Sequence, residues 1–258
     1  MTKKLSSLPY ILDQTNWGTV KQEKYEMAIL PWGATEPHNY HLPYATDTIQ
    51  AKEIAVGAAA IAWQDGVKTM VLPAIPLGLQ NPGQLDLPFC LNTRLSTQKV
   101  ILEDILMSLQ KQGIKRLVII NSHGGNDFKS LVRDFQTQFN DFFIGVIDWF
   151  KIVGCDEFFD EPGDHAGEME TSLIQYLHPD LVTVEEAGDG RSIGFKLNSL
   201  KKGVVWTPRN WAKISSDTGV GNPKMATSEK GEKCFKFLIQ SIANALREIA
   251  SVNPDDLY

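Results

Sequence analysis

Histidine is scarce in this chain, yet four of its five histidines fall in three short segments that also carry acids. The segments read EPHNYHLPYATD (residues 36–47), NSHGGN (121–126) and DHAGEMETS (164–172). Imidazole nitrogens and carboxylate oxygens are the ligands that proteins offer to zinc, manganese and iron. Three separated segments of this composition, converging in space, would make a metal site.

Each segment has its own logic. Glu36 and His38 are two residues apart, and in an extended stretch alternate side chains point the same way, so both face one cavity. Asp47 lies near a helix start, where an aspartate reads either as an N-terminal cap or as a further ligand. The glutamate and two histidines beside it favour the ligand. In NSHGGN a histidine is followed by two glycines directly after a buried apolar run. Glycine permits unusual backbone angles and close approach to a ligand. The spacings GxGxxG and GxxxxGKS/T that would mark a phosphate-cradling loop are absent, so His123 reads as a ligand at a strand end. In DHAGEMETS a helix begins near Gly167, with Met169, Leu173, Tyr176 and Leu177 on one face. Glu170 falls beside that apolar stripe and Glu168 on the opposite side, with Ser172 and Gln175. A glutamate near a buried face needs a partner, which makes Glu170 the preferred ligand. Glu168 is the weaker one and would equally suit the first helical turn as a favourable charge. His165, just ahead of the helix, is free to transfer protons. His178, before Pro179 at the helix end, reads as structural.

The frame that must bring these segments together is an alternation of short apolar strands and helices. Met27–Pro31, Val67–Ile75, Leu117–Asn121 and Phe142–Phe150 read as strands. Thr46–Gln64, Ser96–Gln112, Phe128–Phe139 and Thr227–Ser251 read as helices. This order predicts an α/β protein with a mainly parallel sheet covered on both faces. Ligands bind such sheets beyond the carboxyl ends of the strands, and the first two segments sit at such ends. Residues 178–224, rich in Gly, Pro and Lys, read as irregular structure, a lid or an oligomer contact. Within them 186–221 would shape specificity.

The length of 258 residues, with 43% hydrophobic and 22% charged side chains, fits one large domain spanning 1–258. A net charge of −6 and scattered lysines argue against nucleic acid. The pairs Lys3-Lys4 and Lys201-Lys202 read as solvated surface. No stretch reads as a signal peptide or membrane span. Three cysteines, Cys90, Cys155 and Cys234, lack metal-type spacing. The expectation is a reduced, cytoplasmic protein without a disulfide scaffold.

Taken in order, the three segments resemble the motifs of the creatininase (creatinine amidohydrolase) family. Its first motif, E-x-H-G-x-H-x-P-x-x-T-D, is similar to Glu36 through Asp47. Its N-G-H-G-G-N is similar to Asn121 through Asn126, and its H-A-G-E-x-E-T-S to His165 through Ser172. The resemblance implies a three-layer α/β/α fold, a homo-oligomer that is often a hexamer, and two divalent ions (Zn, Mn or Fe). Glu36, Asp47 and His123 would hold one ion, and His38, Asp47 and Glu170 the other. Asp47 would bridge and His165 would transfer protons, leaving His41 and Glu168 in supporting roles. The substrate side departs from the family. Asn39 replaces the family's usual glycine, Pro88-Phe89-Cys90 falls at its P-G-T segment, and where true creatininases carry Tyr-Glu and Trp-Asp this chain has Gly124-Gly125 and Glu161-Pro162. Trp149, after a strand ending in Asp148, matches an aromatic residue that creatininases use on creatinine, and Trp149, Cys90 and Gly124 are the expected substrate contacts. The metal pattern is kept and the substrate pattern is not. The expectation is hydrolysis of a non-peptide C–N bond in a small or cyclic amide other than creatinine. A dinuclear phosphoesterase and a non-catalytic ligand-binding homologue are the alternatives.

Overall fold

A computed structural model of the chain describes residues 8–152, 154, 156–253, 256 and 257. After a one-turn helix, α1 (Trp17–Val20), the chain enters β1 (Met27–Trp32). Helix α2 (Thr46–Gln64) leads to β2 (Thr69–Val71), α3 (Leu95–Lys111) to β3 (Arg116–Asn121), and α4 (Phe128–Gln136) to β4 (Phe143–Asp148). The strands lie in the order β2-β1-β3-β4, and every pair is parallel. Parallel neighbours require a long crossover, and these three helices supply it. Helix α5 (Glu168–Leu177) follows the sheet, then the single turns α6 (Asn198–Lys201) and α7 (Trp211–Ile214), and finally α8 (Ser228–Ser251).

Alternation along the strands builds two cores, one on each side of the sheet. Met27, Ile29, Val118 and Ile120 face one way and pack with Ile54, Ala55 and Ala58 of α2, Leu173 of α5 and Leu238 and Ile242 of α8. Ala28, Leu30, Leu117, Ile119 and Ile144 face the other and pack with Leu102 and Leu106 of α3 and Phe128, Leu131 and Phe135 of α4. The sheet is thus buried on both faces between helical layers, as its apolar strands require.

The expected strand Val67–Ile75 is shortened to three residues. Val67 N–H closes the end of α2 onto Ala62, and Pro73 has no N–H to give the ladder. Only a single bridge, Trp32 to Ile75, continues the pairing. The strand expected to reach Phe150 stops at Asp148, and Trp149–Lys151 turn as a 3₁₀ segment. Residues 178–224 are mostly irregular, as expected, with short helical turns. Cys90 and Cys234 are free thiols. Cys155 and Lys3-Lys4 lie outside the described residues, as does most of the N-terminal stretch. Among the described residues, no helix is long and apolar enough to cross a membrane.

Candidate metal centre

Because the strands are parallel, β1 and β3 end on the same side of the sheet. Trp32 and Asn121 are partners at that edge, so the segments following them meet. The chain after β1 carries Glu36 and His38 and turns into α2. The cap of α2 is Ala45, without a side-chain bond, so Asp47 does not cap the helix. It stands in the first turn, where the helix dipole favours its charge, and its side chain points into the cluster. Helix α5 closes the far side. At its start Ala166 takes a left-handed φ of 50° and donates its N–H to Glu170 Oε2 at 2.5 Å.

The NSHGGN turn is braced by its two asparagines. Asn121 accepts from His123 N–H and donates to His123 O, at 3.2 and 3.1 Å. Asn126 accepts from Leu79 N–H and from Gln98, at 3.2 and 2.8 Å. Gly125 is needed for close approach, since a Cβ there would lie 2.0 Å from Leu79 O and 2.6 Å from His123 Nε2.

Five residues converge at the core of the site. His123 Nδ1 lies 2.9 Å from Glu36 Oε1 and 3.1 Å from Asp47 Oδ2, and His38 Nε2 lies 3.0 Å from Asp47 Oδ1. Donor atoms of Glu36, Asp47 and His123 lie within 4.8 Å of one another, as do those of His38, Asp47 and Glu170. Glu36, His38 and His165 meet the same distance limit. Backbone carbonyls set the histidine tautomers, because a carbonyl oxygen only accepts. His123 Nε2–H donates to Leu79 O at 2.9 Å and His38 Nδ1–H to Glu36 O at 3.0 Å. The remaining nitrogens therefore turn lone pairs toward carboxylate oxygens. That arrangement is repulsive unless a proton or a cation lies between them. Asp47 Oδ2, 3.1 Å from His123 Nδ1, is buried and accepts no hydrogen bond, so it too favours a positive charge beside it. The donor set fits divalent cations.

The electrostatics agree with this reading. Burial alone would lower His38, but Asp47 at hydrogen-bond distance, with Glu170 and Glu36, raises it to about 10. His123 is likewise raised against burial, by Glu36 and Asp47. Burial would raise Glu36 and Asp47, yet the imidazoles hold both below the usual carboxylate range. Glu170 is pushed up to about 7 by burial, with His38 opposing and Asp47 adding. The carboxylates draw a positive charge onto the imidazoles, and a cation would supply that charge in place of protons.

His165 stands at the edge of the cluster. Its Nε2–H donates to Pro37 O at 3.0 Å, and Nδ1 lies 3.8 Å from Glu36 Oε1. Its ring lies between those of His38 and Trp211, with centroids 4.2 and 5.3 Å away. Burial and the His38 charge lower its pKa. A cavity of about 180 Å³ opens here, lined by Glu36, Asp47, His123, Gly124, Phe150 and His165 among others. It continues into an outer groove of about 1060 Å³ walled by Gln84, Lys151, Trp206, Arg209 and Trp211.

Several expected contacts fall elsewhere. Trp149 is fully buried in the core and donates its indole N–H to Ser122 Oγ at 2.5 Å, and its neighbour Phe150 lines the cavity instead. Cys90 is buried and lines neither opening. Burial and the Glu36 charge push its thiol up to about 12. Gly124 does line both. Glu168 is not on an outer face. It is fully buried, and its carboxylate pairs with Lys230 and accepts Glu161 N–H at 2.7 Å, joining α5 to α8. His41 bonds Thr171 Oγ1 at 2.8 Å, next to Glu170, while its Nδ1 is buried without a partner. His178 caps the end of α5 and lies 3.6 Å from Glu53, consistent with a structural role. Sequence reasoning missed Gln84, which donates to Glu36 Oε2, and Trp211 against His165. Neither carries a local signal, since Gln84 comes from a loop and Trp211 from the single turn α7, both far along the chain from the residues they meet.

Comparison with known proteins follows the same lines. A family model described as creatinine amidohydrolase matches residues 13–246. A solved structure from Bacteroides fragilis NCTC 9343, provisionally named a creatinine amidohydrolase, is 48% identical with a TM-score of 0.92, covering 97% of this chain and 98% of that one. The creatinine amidohydrolase of Pseudomonas putida is 24% identical over 85% of this chain and 88% of its own. A mycofactocin precursor peptide peptidase of Mycobacterium ulcerans is 27% identical over 84% and 83%. Creatininase structures described as a Mn form and a Zn–Zn form share the fold, with TM-scores of 0.75 and 0.73 at 22% and 23% identity. Each match covers 94% of this chain and 99% of the other.

Proposed function

Because the chain belongs to the creatininase (creatinine amidohydrolase) family, we propose that it hydrolyses an amide C–N bond with the help of two divalent cations. Glu36, Asp47 and His123 would hold one ion, and His38, Asp47 and Glu170 the other. The observation that supports this is the pair of donor trios, each within 4.8 Å and sharing Asp47. Zinc and manganese suit the mixed imidazole and carboxylate donors, and both occur among the creatininase structures of this fold. When bound, such ions lower the pKa of water toward neutrality and polarise a carbonyl.

The chain's own residues supply the rest. His165 has only Nδ1 free for exchange, because Nε2–H is held by Pro37 O. With its pKa lowered, it is neutral at pH 7 and ready to take a proton from the attacking water. The same atom would return that proton to the leaving nitrogen. Gly124 and Phe150 line the inner cavity in which the substrate amide would sit. That cavity, about 180 Å³, suits a small or cyclic amide. A second reading, a peptide amide, is favoured by the groove of about 1060 Å³ that continues from it. A phosphate ester is disfavoured. The basic side chains Arg209 and Lys151 in that groove pair with Asp164 at 2.5 Å and Asp148 at 3.0 Å, leaving no ready phosphate clamp.

Metal content of the purified protein, followed by chelation and reconstitution with Zn²⁺ or Mn²⁺, tests the proposal. The substrate panel should hold creatinine, other cyclic amides, short peptides and p-nitrophenyl phosphate. The expected result is about two ions per chain and metal-dependent amide turnover. Absence of tightly held transition metal would sink the reading. Turnover confined to the phosphate ester would replace it, and bound metal with no turnover would support a ligand-binding homologue.

A further inference from the structure

We infer that Gln84 is a positioning residue for the metal centre: its side-chain amide holds the Glu36 carboxylate in the one rotation that presents an oxygen to His123, and so sets the affinity of the Glu36, Asp47 and His123 trio for a divalent cation. The inference rests on the proposed reading of Glu36, Asp47 and His123 as metal ligands.

Gln84 lies in the long loop between β2 and α3 and is 1% exposed. Its Oε1 accepts Asn81 N–H at 2.8 Å. A backbone N–H only donates, so this bond settles the orientation of the amide. Nε2 is then the atom turned to Glu36, and it donates to Glu36 Oε2. The other oxygen, Oε1, is the one 2.9 Å from His123 Nδ1 and 3.8 Å from His165 Nδ1. The terminal torsion of a glutamate is broad, so nothing intrinsic to Glu36 fixes the plane of its carboxylate. A neutral donor on Oε2 fixes that plane without adding a charge that would compete with a cation. Lysine at this position would neutralise the carboxylate, and an acid would repel it.

The same loop also orients the second ligand. Leu79 O accepts His123 Nε2–H at 2.9 Å, five residues before Gln84. One loop therefore sets the tautomer of His123 and the rotation of Glu36. Supporting hydrogen bonds of this kind are worth about 10–100-fold in metal affinity.

The full-length protein is stripped with chelator and titrated with Zn²⁺ against a chromophoric competitor, for the wild type, Gln84→Glu and Gln84→Met. Gln84→Glu keeps the shape but sets a second buried carboxylate against Glu36 in place of the donor, and Gln84→Met keeps the length without polarity or charge. Thermal unfolding is recorded with and without Zn²⁺. The expected result is that both variants bind one of two ions about 10–100-fold more weakly. The metal-free melting temperature of Gln84→Met should stay near that of the wild type, while its stabilisation by Zn²⁺ shrinks. Wild-type affinity for both ions in either variant overturns the inference. So does an equal weakening of both ions that tracks a drop in metal-free stability, which is the mark of packing alone. A wild type that binds no Zn²⁺ overturns the metal-centre reading itself, and this inference with it.

Discussion

At His38 and His123 a backbone carbonyl decides the chemistry. Glu36 O and Leu79 O each take the N–H of one ring nitrogen, which leaves the other to face carboxylates. Asp47 contributes to both donor trios, so Asp47→Asn is expected to abolish binding of both ions, whereas His123→Ala removes one and leaves the second. Metal analysis after gel filtration separates the two outcomes. His165→Asn is expected to keep both ions and lose about 10²–10⁴-fold in kcat, and a loss of metal would instead place His165 among the ligands. Without metal, His38 at about 10 and the raised His123 both hold protons at pH 7. Cation uptake must displace them, so binding at pH 7 should release protons and tighten as pH rises. Calorimetry in buffers of different ionisation enthalpy measures this, and an absence of proton release would contradict it. Asn39, where the family usually has glycine, has a left-handed φ of 56°, a conformation that asparagine tolerates better than most residues. Its side chain adds what glycine lacks. Oδ1 accepts Gly188 N–H at 2.8 Å, tying the 186–221 region to the first motif.

The elements place these residues by ending where they do. Strands β1 and β3 stop in register at Trp32 and Asn121, and α2 and α5 start where the acids are wanted. Most of this was readable from the residue order. The span of α2 matches its apolar and alanine pattern, and α3 and α8 begin within one residue of expectation. Periodicity reports such elements well because each buries a continuous stripe. It failed for Glu168, which was expected away from the packed side of α5. That side turned out to be covered by α8, where Glu168 meets Lys230. A single helix cannot announce that a second helix packs on its other face. The closeness of the two helices depends on Gly231, where a Cβ would lie 1.9 Å from Ser172 O. Gly231→Ala should therefore force α5 and α8 apart and destabilise the fold by about 1–3 kcal/mol, as measured by urea unfolding. Unchanged stability would mean that the helices shift freely.

Across the whole molecule, the candidate ligands come from three chain segments, after β1, after β3 and within α5. Anything bound among them closes long loops and favours the folded state. Chelation is therefore expected to lower Tm, and calorimetry with and without EDTA tests it. Acid stability carries a separate signature. His41 is lowered to about 4 by burial, with the His38 charge adding. An unfolded histidine titrates near 6.5, so the unfolded chain binds the extra proton between those values. This contribution to stability is present above pH ~6.5 and fades as pH falls toward 4. Glu170, pushed up to about 7 by burial, has the opposite linkage over much of this window, so the His41 share is read by difference: the loss of stability between about pH 6.5 and 4 should be smaller in His41→Gln than in the wild type. The ligand types, their order along the chain and the alternating elements all follow from residue identity and periodicity, which are local properties. Residue identity also carried the family resemblance. Folding alone reveals that Trp149 turns into the core while Phe150 meets the cavity, that Gln84 reaches Glu36, and that Trp211 stands against His165. Those contacts join residues tens of positions apart through loops without periodicity. Their partners are set by how the packed layers bring the loops together, which no short window of sequence contains.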